Sequence, residues 1–301
     1  LIQLYLQLGG GVFLGWVLGK VLPQQVPIWI GNFLFWFGVP ISIIAFLRKA
    51  DLSGGIWIAP VTAWVAILLG AGLAWLWLEK KNKGAEAPTT KGSFILAAMV
   101  GNTGYLGFPV TLALVGEKYF GWALFYDMLG SLLGAYGLGV VLAARFGKGI
   151  DGYGKLWQSI AINPALWSLG FGLIFRQIPI PTLAENTLTG LAWGALYLAL
   201  TLIGMRLSQL RSWGKIKLAA VSLSIKMLLV PFVLGMGLWQ LGIRDDALLT
   251  IVLEMGMPPA FATLVIAEVY DLDRELAVTA LAVGSMGLLV TLPIWLLLFR
   301  F

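Results

Sequence analysis

The stretch Met99-Val100-Gly101-Asn102-Thr103-Gly104-Tyr105-Leu106-Gly107-Phe108-Pro109 interrupts an apolar run with three glycines, a polar pair and a proline. A second apolar run is interrupted by Glu254-Met255-Gly256-Met257-Pro258-Pro259-Ala260. Each interruption falls in the fourth hydrophobic segment of its own half of the chain. A helix broken inside hydrocarbon leaves N–H and C=O groups that lipid cannot satisfy, so the break must be buried in protein or line a watery cavity. Paired breaks at corresponding positions of two halves are the sequence mark of a transporter's binding site.

Composition places these runs in a bilayer. The 301 residues are 59% hydrophobic and 11% charged, against about 25% charged in a soluble domain. A chain so poor in polar groups cannot cover its surface in water. Apolar runs of about 20 residues match helices crossing a ~30 Å hydrocarbon core, and the alternation of an outer-membrane barrel is missing. The reading is an all-α polytopic membrane protein with ten transmembrane helices, near 2–22, 28–47, 55–78, 92–116, 121–144, 156–175, 182–205, 216–241, 246–269 and 275–299. The chain opens on Leu1 inside the first span, so its native start is expected upstream. That span is too long and glycine-rich for a cleaved signal.

The loops after the odd spans hold Lys20; Lys80, Lys81, Lys83 and Lys91; Arg145, Lys148 and Lys155; Arg206, Arg211, Lys215 and Lys217; and Arg274. The loops after the even spans hold Arg48, Lys49, Lys118, Arg176 and Arg244. The positive-inside rule puts the odd loops in the cytoplasm and both termini outside. The formal charge of +6 is therefore read as orientation and not as a nucleic-acid surface. Five spans per half make the halves inverted: 1–145 as the first five-helix repeat, 146–155 as a short cytoplasmic linker, 156–301 as the second. Leu129-Gly130-Ser131-Leu132-Leu133 after the first break echoes Val283-Gly284-Ser285-Met286-Gly287-Leu288-Leu289 after the second.

The chain holds neither cysteine nor histidine. Thiolate chemistry is excluded, and with it the commonest general base and transition-metal ligand; enzyme activity is not expected. At the first break, Gly101, Gly104 and Gly107 free the backbone to turn, Asn102 and Thr103 offer short donors and acceptors, and Pro109 starts the next half-helix. At the second, Gly256 ends a half-helix and Pro258-Pro259 after Met257 forbids continuation. If the breaks cross at mid-membrane, two half-helix N-termini meet there, which suits a carboxylate. The bland alternative is a pair of packing kinks.

Three charges, Asp127, Lys226 and Glu254, lie inside spans at about 2.5–3.5 kcal/mol each on insertion scales, so each needs a partner or a task. Glu254 is read either as a site for Na⁺ or H⁺ or as an ion-pair partner of Lys226. Asp127, nearer a span end, is read as a cap or a contact with water, and stands with Lys226 and Glu254 as a coupling or ion-pair candidate. Asn163-Pro164 is read as a helix start. Val39-Pro40 is read as a kink, and Trp29, Trp75, Trp77, Trp157 and Trp295 as an interfacial belt. The run Glu268 to Glu275 is read as a solvated turn.

These residues resemble the auxin efflux carrier family and its bacterial members, within a wider group that includes the bile acid/sodium symporters. The resemblance is carried by Asn102-Thr103-x-x-x-Gly107-x-Pro109, by Met257-Pro258 with Ala267, Tyr270 and Asp271-Leu272-Asp273 downstream, by Asn163-Pro164, and by Thr291-Leu292-Pro293-Ile294. It implies inverted five-helix repeats with broken helices 4 and 9 crossing, and a scaffold of spans 1, 2, 6 and 7 beside a mobile unit of spans 3–5 and 8–10. It implies elevator-type transport of small organic anions, auxin-like or mono- and dicarboxylates, by a homodimer in the lipid bilayer. The chain departs from the plant pattern in having Gly101 where a proline stands, and only Arg145–Lys155 in place of a long cytoplasmic domain. The run Glu254-Met255-Gly256-Met257-Pro258 is similar to the Glu-x-Gly-x-Gln break of the sodium-coupled bile acid symporters, with proline replacing glutamine. That likeness implies a Na⁺ position made by Glu254, Asn102 and Ser131.

The expected function is a secondary transporter exporting small organic anions, with Gly101, Asn102, Thr103, Gly104, Pro109, Met257, Pro258 and Pro259 contacting substrate. The alternative is a sodium-coupled importer on the same fold.

Overall fold

The computed structural model describes residues 2–82, 86–148, 162–209 and 214–300, with side chains described from residue 9 onward and not for 81 and 82. Lys83, Lys155, Trp157 and Arg211, most of the 146–155 linker and the first residues of the expected sixth span lie outside the described residues. What is described is helical, apart from one isolated β-bridge between Gly101 and Pro259. Among the described residues, six helices are long and apolar enough to cross a membrane: Gln25–Lys49, Ile58–Lys80, Glu117–Phe146, Thr182–Gln209, Ile216–Gln240 and Arg274–Phe299. Shorter apolar helices run over Gly9–Val21, Thr103–Leu114 and Pro164–Phe175.

The contacts divide the chain into two compact units, each drawing on both halves of the sequence. The first is Leu1–Gly54, Gly104–Leu124 and Trp157–Leu210. In it, helix Ile2–Val21 packs along helix Thr182–Gln209. Lipid tails are as apolar as leucine, so such helices associate through close packing, for which small residues clear the way. A Cβ at Gly15 would collide with the backbone carbonyl of Thr201, and one at Gly204 with that of Val12. Leu34, Ala195, Ala199 and Leu202 form a buried cluster on which Tyr105 packs. Phe46 meets the rings of Phe120 and Trp193, and Phe108 meets Phe120. These aromatic contacts explain why 104–124 fold with spans 1, 2, 6 and 7 and not with the rest of the expected mobile unit.

At one rim of this unit, Arg48 pairs with Glu185 at 2.9 Å and donates to the carbonyls of Phe175 and Ile178. Arg176 donates to the carbonyl of Ala50. Asn163 caps helix Pro164–Phe175 by accepting from the Ala165 N–H at 3.0 Å, so the Asn-Pro pair is a helix start. Val39-Pro40 follows a π-helical turn, Leu34–Gly38, whose looser hydrogen bonding accommodates the proline beyond it.

The second unit is Gly55–Thr103, Phe125–Leu156 and Arg211–Phe301. Helix Ile58–Asn82 packs on the middle of the fifth span, where Ala63 fills the space left by Gly130 and Ile67 that left by Gly134. Trp64 donates its indole N–H to the carbonyl of Leu129 at 2.9 Å, within the π-helical turn Asp127–Leu132. Trp295 is 2% exposed, with its indole against Gly256, so it belongs to the interior of this unit and not to an interfacial belt. Trp29, 67% exposed, does face outward.

The Glu268–Glu275 turn is more than solvated chain. Asp273 accepts from Thr90, from Lys215 and from the Leu276 N–H, which it caps, while its carbonyl accepts from Ser93. One carboxylate thus ties together the starts of the fourth, eighth and tenth spans. Burial pushes this group up, but the Lys215 ammonium, the Thr90 hydroxyl and the Leu276 N–H together hold it below the usual carboxylate range.

Candidate functional site

Both breaks lie in the second unit up to Thr103, and they pair. After helix Pro88–Met99 the chain extends through Val100, Gly101 and Asn102. After helix Asp245–Met255 it extends through Pro258, Pro259 and Ala260, before helix Phe261–Val269 begins. The two segments run antiparallel: the Asn102 N–H donates to the Pro258 carbonyl at 2.7 Å, and the Ala260 N–H to the Val100 carbonyl at 3.1 Å. Gly101 and Pro259 face each other as a pair that exchanges no hydrogen bonds of its own. A proline, which has no N–H to give, is therefore tolerated at that position. The bridge solves the problem that hydrocarbon poses, because each break supplies partners for the backbone groups the other has freed. It also uses the Asn102 and Ala260 N–H groups, two of the donors a bound carboxylate would otherwise find there.

Span 10 passes close behind the second break. A Cβ at Gly284 would come within 2.9 Å of Pro259 Cδ and 3.1 Å of Pro258 Cβ, and one at Gly256 within 2.8 Å of Trp295 Nε1. The double proline thus packs directly against span 10 at Gly284.

Lys226 reaches the breaks from the π-helical turn Ile225–Leu229 and is 4% exposed. Its ammonium donates to the carbonyl of Met255, at the C-terminal end of helix Asp245–Met255. A Cβ at Gly101 would lie 3.0 Å from Lys226 Nζ and 3.3 Å from the Met257 carbonyl oxygen. Glycine at 101 is what lets the ammonium lie against both breaks. The position suits a cation, because a helix C-terminus presents unpaired carbonyls and the negative end of the dipole. Glu254, fully buried one residue before Met255, lies within electrostatic range of Lys226.

At the first break, Thr103 is 1% exposed and donates its hydroxyl to Asp127 Oδ1. Thr103 opens the π-helical turn Thr103–Gly107 and Asp127 opens the turn Asp127–Leu132. Asp127 is therefore buried and joined to the break, in place of the cap or water contact expected of it. A carboxylate some way inside a span is the one local clue to this, and the pairing with Thr103 depends on two distant segments. Ser131 is buried on the Asp127 turn. Asn102 is also buried, and so is Met257. Gly104 and Pro109 belong to the first unit, where Pro109 lines a cavity of about 260 Å³ with Leu112, Trp193 and Tyr197. Among the described residues no three acidic side chains gather as a metal site.

A family model described as a membrane transport protein matches residues 1–149 and 151–296. The chain is 29% identical over 290 residues to an uncharacterized transporter of Methanothermobacter thermautotrophicus, covering 94% of this chain and 93% of that protein. It is 30% identical over 214 residues to an uncharacterized transporter of Methanocaldococcus jannaschii, covering 68% of this chain and 67% of that protein. It is 24% identical over 151 residues to auxin efflux carrier component 2 of Arabidopsis thaliana, covering 47% of this chain and 23% of that one.

Proposed function

We infer the function from the premise that this chain belongs to the membrane transport protein family, the auxin-efflux-carrier-like transporters, and is an integral membrane protein. We propose that it is a secondary transporter of small organic anions, working by an elevator motion and serving export. The observation that carries this reading is the antiparallel pairing of Val100–Asn102 with Pro258–Ala260 in mid-span. Irregular backbone at membrane depth is built where a ligand is bound, in protein or beside a watery cavity. The Lys226 ammonium lies beside Gly101 while bonded to the Met255 carbonyl, and Asn102 and Thr103 add polar side chains on the glycine's own segment. A carboxylate is the matching guest.

Ten spans in inverted repeats, a homodimer, and an inner-membrane location with both termini outside belong to the same reading. The two compact units support the elevator, because spans 1, 2, 6 and 7 fold together apart from spans 3, 8, 9 and 10. Export suits the charge of the cargo: an anion leaving a negative-inside cell gains about 2.3 kcal/mol per charge per 100 mV.

The sodium-coupled importer rests on Glu254. Lys226 weighs against it, since its ammonium is bonded to the Met255 carbonyl, a group freed by the break and suited to a sodium ion. A tethered cation at that oxygen makes a diffusible one redundant. The test is counterflow of radiolabelled succinate and indole-3-acetate in proteoliposomes, with and without a sodium gradient. Saturable exchange of either anion, indifferent to sodium, is expected. Accumulation driven by sodium and lost in Glu254→Gln would establish the importer instead, and exchange of neither anion would sink the anion reading.

A further inference from the structure

The substrate reading leaves Asp127 without a task. It is 8% exposed inside the membrane-spanning helix Glu117–Phe146, at the first residue of a π-helical turn. Intramembrane carboxylates are costly and mark ion or proton pathways, and π turns recur at functional sites. Its hydrogen bond from Thr103 joins the starts of two π turns. The chain leaves the second compact unit at Thr103 and re-enters it at Phe125, so this bond closes the base of the excursion 104–124.

The surroundings provide little charge at this carboxylate. Helix Ile58–Asn82 packs on its turn through Ala63 and Trp64 and carries no titratable side chain from Ile58 to Leu78. Tyr136 lies on the following π turn. Tyr126 precedes Asp127 and is within electrostatic range of both Asp127 and Glu254. The buried cation, Lys226, is engaged with the Met255 carbonyl and Glu254. The partner given to the Asp127 carboxylate is a neutral hydroxyl that the substrate also needs.

We propose that Asp127 is the proton site of this transporter, and that one proton binds with each organic anion at the first break. The inference rests on the anion-carrier reading. When ionised, Asp127 accepts the Thr103 O–H and opposes an incoming carboxylate as a like charge. When a proton from water binds Asp127, the repulsion goes and the carboxyl becomes a donor. Thr103 is then released to donate to the anion. The proton returns to water as the anion leaves. Binding linkage is reciprocal, so lower pH tightens anion binding as surely as the anion tightens the proton. For a monoanion the pair crosses without net charge and leaves down its own concentration gradient, so the membrane potential drives export only through the second charge of a dianion.

Two measurements on the purified full chain decide this. Infrared difference spectra between acid and alkaline buffer should show the C=O band of a buried carboxyl, absent in Asp127→Asn, kept in Glu254→Gln and shifted in frequency in Thr103→Val. A wild type without the band, or a band surviving in Asp127→Asn, overturns the proposal. In proteoliposomes, the half-saturating concentration for succinate or indole-3-acetate counterflow should rise roughly tenfold per pH unit above the titration of the site. In Asp127→Asn, whose carboxamide stands in for the protonated acid, it should not move with pH. An unchanged slope in that variant also overturns the proposal. Exchange of neither anion by the wild type would remove the anion reading itself, and the infrared band would still decide whether Asp127 takes up a proton.

Discussion

The two breaks present the same difficulty to the chain and draw opposite charges. At the first, the group to be met is a hydroxyl donor, Thr103, and the fold brings a carboxylate, Asp127. At the second it is the carbonyl of Met255 at a helix C-terminus, and the fold brings an ammonium, Lys226. The first break is built from glycine and leaves through a π turn. The second is built from proline and leaves through an extended Ala260 into a regular helix. The two breaks therefore share one antiparallel bridge and differ in backbone exit and in chemistry, with a buried ammonium at one and a buried carboxylate at the other.

The largest test of that contrast is Lys226→Met. The variant leaves the buried Met255 carbonyl without its ammonium donor and the buried Glu254 without the cation in its electrostatic range; where such a charge is fully paired, the loss costs about 3–5 kcal/mol. Thermal unfolding in detergent should show a large drop, and adding Glu254→Gln should restore part of it. A variant as stable as wild type would mean that Lys226 supports nothing at the second break.

A smaller effect separates the glycines. Alanine at Gly256 meets the rigid Trp295 indole at 2.8 Å and the Val252 carbonyl at 3.3 Å, whereas alanine at Gly101 meets the unbranched Lys226 side chain at 3.0 Å and the Met257 carbonyl at 3.3 Å. Overpacking costs about 1–3 kcal/mol, and Gly256→Ala should cost more than Gly101→Ala in the same unfolding assay. The reverse order would mean that the first break is the more rigid of the two.

The smallest effect is expected away from the breaks. Asp273, its side chain 8% exposed and held below the usual carboxylate range, contributes stability above its unfolded pKa near 3.9 and loses it as pH falls through the lower folded value. Asp273→Ala should cost about 1 kcal/mol at neutral pH, chiefly as a lost helix cap. Its melting curve should meet that of the wild type in acid. Curves that stay apart would show that the Lys215 and Thr90 contacts matter without the charge.

Much of the fold was legible in the chain. Helix breakers and apolar runs are local properties, so Asn163-Pro164 could be read as a helix start and Gly256 with Pro258-Pro259 as the end of one half-helix. Trp295 reads as interfacial from sequence because position near a span end does not tell which way a ring points. Asp273 reads as solvated chain because its partners, Thr90, Ser93 and Lys215, come from two other spans.

By itself the sequence determined that the protein lies in a bilayer and that two of its helices break, because hydropathy and backbone freedom are written residue by residue. Only the tertiary structure decided that the breaks pair as antiparallel strands, that Gly101 makes room for Lys226, and that Thr103 is joined to Asp127. Those are relations between residues 24 to 160 positions apart. In hydrocarbon a freed backbone or charged group takes whichever partner the packing of other helices brings to it, and no local pattern names that partner.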